Sequence, residues 1–170
     1  MTAPLRWALV ALLLAGGLIG GAQFMEHVLG LDPCPLCLMQ RLWTIFAGAI
    51  VLVALCHSPQ LRVYPALVLL CSVVGGGFSV RQLWLQSLAP DAVPACGPDM
   101  GYMLEVFPMS EILKAMTFGT GNCAEVTWSL LGISIAGWAL LGFIAMATAA
   151  GLWLVAARAT SELLGHASST

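Results

Sequence analysis

The sequence predicts an all-α integral membrane protein, a four-transmembrane-helix bundle with two loops on one face of the bilayer. Three observations carry that prediction: an apolar composition, four long apolar runs, and cysteines gathered in the segments between them. Of 170 residues, 60% are hydrophobic and 8% charged, with a mean hydropathy of +0.95. A soluble domain carries about a quarter charged residues. The length suits a single membrane domain over 1–170. A formal net charge of −2 and no basic patch give a nucleic-acid partner no footing.

A span needs about 20 mainly apolar residues. Four segments reach that length, at about 7–25, 38–56, 63–85 and 126–157. Helices are expected, because a backbone in lipid must satisfy its own hydrogen bonds. Gly16, Gly17, Gly20 and Gly21, then Gly75 to Gly77, then Gly132, Gly137 and Gly142 let helices approach closely. Trp7, Trp84, Trp128 and Trp153 fall near the expected span ends, where aromatic rings favour the headgroup level. Arg6 and the run that follows it resemble a signal peptide. An h-region is about 7–15 residues, and the run over 7–22 reaches or passes that, so the first segment is expected to remain a span.

Four spans place both termini on one side and two loops, about 26–37 and 86–125, on the other. Arg6, Arg62 and Arg158 lie on the terminal side, while Arg41, Arg81 and Lys114 lie on the loop side. The positive-inside rule therefore leaves the orientation open. Cys34, Cys37, Cys96 and Cys123 all fall on the loop side. Disulfides persist in oxidising compartments such as the periplasm, so paired cysteines there imply periplasmic loops and cytoplasmic termini. Cys56 and Cys71 fall near the opposite face and read as small buried apolar residues.

Cys34-Pro35-Leu36-Cys37 closes too small a loop to serve as a staple. The spacing suits a reversible redox pair, since thiol pKa values fall in such motifs and at helix N-termini. Arg41, one turn beyond Cys37, is expected on the same face, where its charge favours a thiolate. The plainer reading is an arginine that snorkels to the interface. Zinc sites usually supply a second close pair, and Cys96 and Cys123 are too far apart in sequence for that. Their separation suits either a structural staple or a second redox pair. The stripe Met109, Ile112, Leu113 and Met116, with Ser110 able to cap its start and Gly119 to end it, predicts a short amphipathic helix. It lies on the membrane surface or packs on the protein's own loops. Its Gly- and Pro-rich flanks leave Cys96 and Cys123 in reachable chain, as thiol exchange with a partner requires.

With "PCPLCLMQR" opening the second span, "PACGPDMGYMLEVFP" and "GNCAEVTW" in the long loop, and four spans in order, the chain closely resembles the DsbB disulfide bond formation proteins. That resemblance implies an enzyme of the bacterial inner membrane. In it, Cys96 and Cys123 re-oxidise a soluble periplasmic DsbA-type thiol oxidase, and Cys96 forms the mixed disulfide. Cys34 and Cys37 then re-oxidise that pair through a Cys34–Cys123 bridge. Electrons leave from Cys37 to the membrane quinone pool, ubiquinone or under anaerobic conditions menaquinone, with Arg41 polarising the quinone and steadying the thiolate. Such a partner, for which the reference magnitude of about −120 mV comes from that bacterial system itself, is regenerated by few disulfides. A respiratory quinone drains the flow in one direction. Ser87 stands where some members carry a histidine near the quinone, so no histidine role carries over. Arg81 is then a candidate second contact, and His27 reads as a solvated interfacial residue. Two alternatives stand beside this reading: a non-catalytic scaffold with structural loop disulfides, and a vitamin K epoxide reductase type. The latter carries its Cys-x-x-Cys late in the chain.

Overall fold

The computed structural model describes residues 2–97 and 100–167. Four long helices, α1 (Ala3–His27), α2 (Pro35–His57), α3 (Val63–Gln86) and α6 (Ile135–Ala167), form the bundle. All four are long and apolar enough to cross a membrane, with mean hydropathy between 1.9 and 2.1. Each packs on two neighbours in the ring α1–α2–α3–α6. Two short helices, α4 (Met100–Val106) and α5 (Met109–Phe118), lie in the long connection between α3 and α6.

Prolines mark the helix starts. Pro4 and Pro35 occupy first-turn positions of α1 and α2, where a missing N–H costs nothing and the fixed φ is already helical. Cys34 is the N-cap of α2, and its sulfur accepts the Cys37 amide hydrogen at 3.4 Å. It stands where a serine or aspartate oxygen usually serves. The cap therefore places one cysteine of the Cys-x-x-Cys pair at the head of the helix and the other in its first turn.

The fourth span begins at Ile135 rather than near residue 126. Between them lies a two-stranded hairpin, β1 (Ser129–Leu130) and β2 (Ile133–Ser134), in the register Ser129↔Ser134 and Leu130↔Ile133. Its turn residues Leu131 (φ 55°) and Gly132 (φ 78°) are both left-handed, the combination a two-residue primed turn requires. Hydropathy alone joins this apolar hairpin to the helix behind it. The Ser134 hydroxyl ties it to Gln86 Oε1 at 2.8 Å, at the end of α3.

Helix α5 occupies the expected position, but Pro108 is its N-cap and Ser110 makes no cap. Gly119, at φ 81°, ends it. The amphipathic stripe is only partly buried by the protein. Ile112 and Ala115 are buried against Met103 with Met116 beside them, while Met109 and Leu113 are exposed.

The bundle core is built from small residues and a few large ones. Ala8, Ala11 and Ala15 of α1 meet Ala47, Val51 and Ala54 of α2, and Phe143, Met146 and Trp153 fill the α6 side. With no hydrophobic drive between helices in lipid, such close contact is what holds them. Trp153 lies level with the turn between α2 and α3. It is fully buried, and its indole Nε1–H donates to the Pro59 carbonyl at 2.7 Å. Gly75 accommodates the edge of the Phe143 ring, and a Cβ there would stand 2.3 Å from Phe143 Cε1. Gly75→Ala should therefore destabilise the bundle by about 1–3 kcal/mol through overpacking. The check is a lower Tm in detergent that Phe143→Leu, added to the same chain, restores in part.

Candidate redox site at the loop end of the bundle

The turn that follows α5 carries the second loop onto the heads of α2 and α3. A Cβ on Gly119 would meet Leu36 Cδ1 and Leu85 Cδ1, each at 2.8 Å. Only glycine combines that contact with a left-handed φ. The 3₁₀ turn Gly121–Ala124 then buries Cys123 with Leu36 and Leu85, and Cys34, Phe78, Leu88 and Ala124 complete this cluster. A cysteine from the long loop thus shares a pocket with the cysteine that caps α2.

Three sulfurs meet here. Cys34 Sγ lies 2.8 Å from Cys37 Sγ, and the Cys34 thiol also donates to Cys123. Cys96 is exposed but lies close by. Gly121 N–H donates to the Ala95 carbonyl at 3.2 Å, and Asn122 Nδ2 donates to the Gly97 carbonyl at 3.2 Å. A side chain at Gly121 would collide with Pro94 O at 2.5 Å and Cys96 Sγ at 3.0 Å. The missing Cβ lets the Cys96 segment lie against the turn that holds Cys123. Of the four cysteines at this end of the bundle, Cys96 is exposed, Cys34 and Cys37 are half-buried and Cys123 is buried.

The electrostatics separate the buried thiols. The Cys34 proton, shared with Cys123 and Cys37 and removed from water, is held well above the usual thiol range. Cys123 is drawn down to about 6, first by the hydrogen bond from Cys34 and then, against its burial, by the amides of Leu36 and Thr120 and the Thr120 hydroxyl. That favours the thiolate at Cys123, the form in which a cysteine attacks a disulfide.

Polar side chains from the spans complete the site. Gln82 of α3 donates from Nε2 to Cys34 Sγ and to Cys37 Sγ, each at 3.4 Å, and Gln40 Nε2 donates to Gln82 Oε1 at 2.8 Å. The Arg41 guanidinium turns toward α1, forming an ion pair with Glu26 and donating to the Ala22 carbonyl at 3.0 Å. The expected contact between Arg41 and the Cys37 sulfur is thus replaced by a neutral donor, since the Glu26 carboxylate binds the cation more strongly than a sulfur does. Gln40, Gln82 and Glu26 escaped the sequence reading. Their signal was polar side chains inside apolar spans, which in lipid seek partners across helices.

A cavity of about 210 Å³ adjoins these groups and is walled by α1, α2, α3 and α6. Cys37, Arg41, Thr44 and Gln82 line one part, and Leu18, Ile135 and Phe143 another. Arg81 lies elsewhere, its Nε–H donating to the Phe118 carbonyl at 3.2 Å and its guanidinium 4.3 Å over Trp84. There it holds the end of α5. His27 is exposed and pairs with the Gln23 carbonyl. Cys71 is packed in the bundle core, and Cys56 is exposed.

A lowered thiol pKa places the anion above that value and loses it below. In the reduced chain, the ultraviolet thiolate absorbance assigned to Cys123 by comparison with Cys123→Ser should rise with a midpoint near pH 6. Cys34→Ala removes the principal donor and should move that midpoint toward the ordinary thiol value of about 8.5.

The family model described as "Disulfide bond formation protein DsbB" matches residues 4–153. A "Disulfide bond formation protein B" from Hahella chejuensis is 50% identical over 131 residues, 75% of this chain and 79% of that protein. Its counterpart from Marinobacter nauticus is 45% identical over 157 residues, 90% of this chain and 93% of its own. "Disulfide bond formation protein B 1" of Pseudomonas aeruginosa is 39% identical over 148 residues, 85% of this chain and 91% of that protein. No solved structure matches. Loop cysteines docked on a four-span bundle are thus accompanied by sequence similarity along nearly the whole chain, and the protein belongs to the DsbB family of disulfide bond formation proteins.

Proposed function

We propose that this protein re-oxidises a periplasmic thioredoxin-like dithiol oxidase of the DsbA type and passes the electrons through its two cysteine pairs to a membrane quinone. It thereby sustains protein disulfide formation from the bacterial inner membrane, with both termini cytoplasmic and both cysteine loops periplasmic. The observation that carries this reading is the path of sulfurs: Cys96 exposed, Cys123 and Cys34 in one buried cluster, and Cys37 on the wall of the cavity.

The cysteines act in that order. A partner thiolate attacks Cys96 Sγ of a Cys96–Cys123 disulfide, and Cys123 leaves as a thiolate. Cys123 attacks Cys34 Sγ of a Cys34–Cys37 disulfide, forming a Cys34–Cys123 bridge while Cys37 leaves with the electron pair. The partner's second thiol resolves the mixed disulfide and frees Cys96. Cys96 then attacks Cys123 Sγ, restores the outer pair and releases Cys34. The outer disulfide is regenerated, the partner leaves oxidised, and the inner pair holds two electrons and two protons.

The cavity walls fit a quinone by the chemistry of their groups. Arg41 offers donors to a ring carbonyl, while Leu18, Ile135 and Phe143 offer an apolar surface. A quinone bound there would accept the two electrons and two protons as the Cys34–Cys37 bond re-forms. Arg41, held by Glu26 and the Ala22 carbonyl, presents its charge from a fixed position, and Gln82 steadies the Cys37 sulfur.

The test is quinone reduction followed optically, with purified protein and a reduced thioredoxin-like oxidase. Wild type should turn over with ubiquinone or menaquinone, and Cys37→Ser and Cys96→Ser should not. Arg41→Ala should raise the KM for quinone by about tenfold or more, the worth of a hydrogen bond to a charged group. No turnover with either quinone would leave the non-catalytic scaffold with structural loop disulfides.

A further inference from the structure

Gln82 and Gln40 stand near the loop ends of apolar helices, and both are buried, at 4% and 6% exposed. A carboxamide taken out of water costs free energy unless both its ends find partners. Gln82 uses both. Its Nε2 faces the sulfurs of Cys34 and Cys37 at 3.4 Å, and its Oε1 receives the Gln40 amide at 2.8 Å.

We propose that Gln82 is a catalytic residue of the thiol relay, its carboxamide holding the negative charge that collects on the Cys37 sulfur, and that Gln40 is a positioning residue that fixes which end of that carboxamide faces the sulfurs. The proposal rests on the relay reading for its direction of electron flow, and its chemistry follows from the contacts. When Cys123 opens the Cys34–Cys37 bond, the electron pair of that bond stays on Cys37, in surroundings that water reaches poorly. A donor in place before the step stabilises the leaving sulfur without reorganisation. The nearby guanidinium of Arg41 is engaged by Glu26, which leaves the Gln82 amide as the donor at contact distance. Being neutral, the amide supports the charge without forming a tight ion pair that would hold the electrons back. Gln82 Oε1 is also 3.6 Å from the same sulfur and accepts the S–H when Cys37 is protonated. One side chain therefore serves both states.

Gln40 decides the amide's orientation. It lies three residues beyond Cys37, on the same face of α2. Its Nε2 can approach only an acceptor, so it faces Gln82 Oε1 and leaves the Gln82 NH₂ for the sulfurs. With Gln40 presenting its NH₂, reversing the Gln82 amide alone would set two NH₂ groups against each other.

The experiment has two readouts. The first is the rate at which Cys37 reacts with iodoacetamide at pH 7 in a chain with Cys34, Cys96 and Cys123 replaced by serine. Gln82→Met should slow it on the order of tenfold, and Gln40→Met should slow it less. Unchanged rates in both variants overturn the proposal. The second readout is quinone reduction with all cysteines present, where Gln82→Met should lower kcat and leave the KM for quinone unchanged. A risen KM with unchanged kcat assigns Gln82 to ligand binding alone and also overturns it. If Gln82→Met fails to give a helical, monodisperse protein, Gln40→Met, which keeps Gln82 in place, carries the alkylation test alone. An absence of wild-type turnover refutes the relay reading, while the alkylation comparison still decides the role of Gln82.

Discussion

The contact on which the rest of the site depends is the seat of the Gly119–Cys123 turn against Leu36 and Leu85. Both leucines are fully buried, and they stand at the heads of α2 and α3. With the turn seated, Cys123 is buried beside Cys34, and the Cys96 segment has the Gly121 turn to lie on. The seat is small and apolar, and the thiol chemistry inherits its exclusion of water. In that environment a hydrogen bond to sulfur counts for more than it would at the surface. Arg81 supports the seat from outside by binding the last carbonyl of α5.

The interior sulfurs are tuned by their neighbours rather than by a single cation. Cys34 keeps its proton because two other sulfurs draw on it. Cys123 gives its proton up because Cys34 and two backbone amides hold the anion. Two thiols of opposite acidity are thereby set apart within one cluster of otherwise identical groups. Arg41, the one guanidinium on the cavity wall, is anchored across to α1, so the first helix is part of the site's frame as well as of the bundle.

Much of this was legible in the sequence, for physical reasons that can be named. Long apolar runs have few alternatives in lipid, so the four spans follow from hydropathy. The Cys-x-x-Cys pair followed by Arg41 marked the head of α2, because prolines and an N-cap sit at fixed offsets there. Three features were not legible. The apolar hairpin over 129–134 hides inside the hydropathy of α6, and only the Leu131–Gly132 turn betrays it. The partner of Arg41, Glu26, is fifteen positions earlier in the chain, beyond the reach of helical spacing. Gln40 and Gln82 are ordinary residues in sequence, and their role exists only because α2 and α3 bring them face to face. Ser110 was read as a cap by its type alone, whereas Pro108 takes that position with a fixed φ.

Phe143 belongs to two structures at once. One edge of its ring fills the hollow over Gly75 in the bundle core, and the same residue forms part of the cavity wall. The spacing of α3 and α6 and the dimensions of the cavity are therefore set by one side chain. A substitution that repacks this helix pair also reshapes the chamber beside Cys37, and a change that adapts the chamber to a different occupant is felt in the helix contact. Bundle stability and chamber shape are thus pleiotropic effects of one ring, and a compensating change for either falls at position 75.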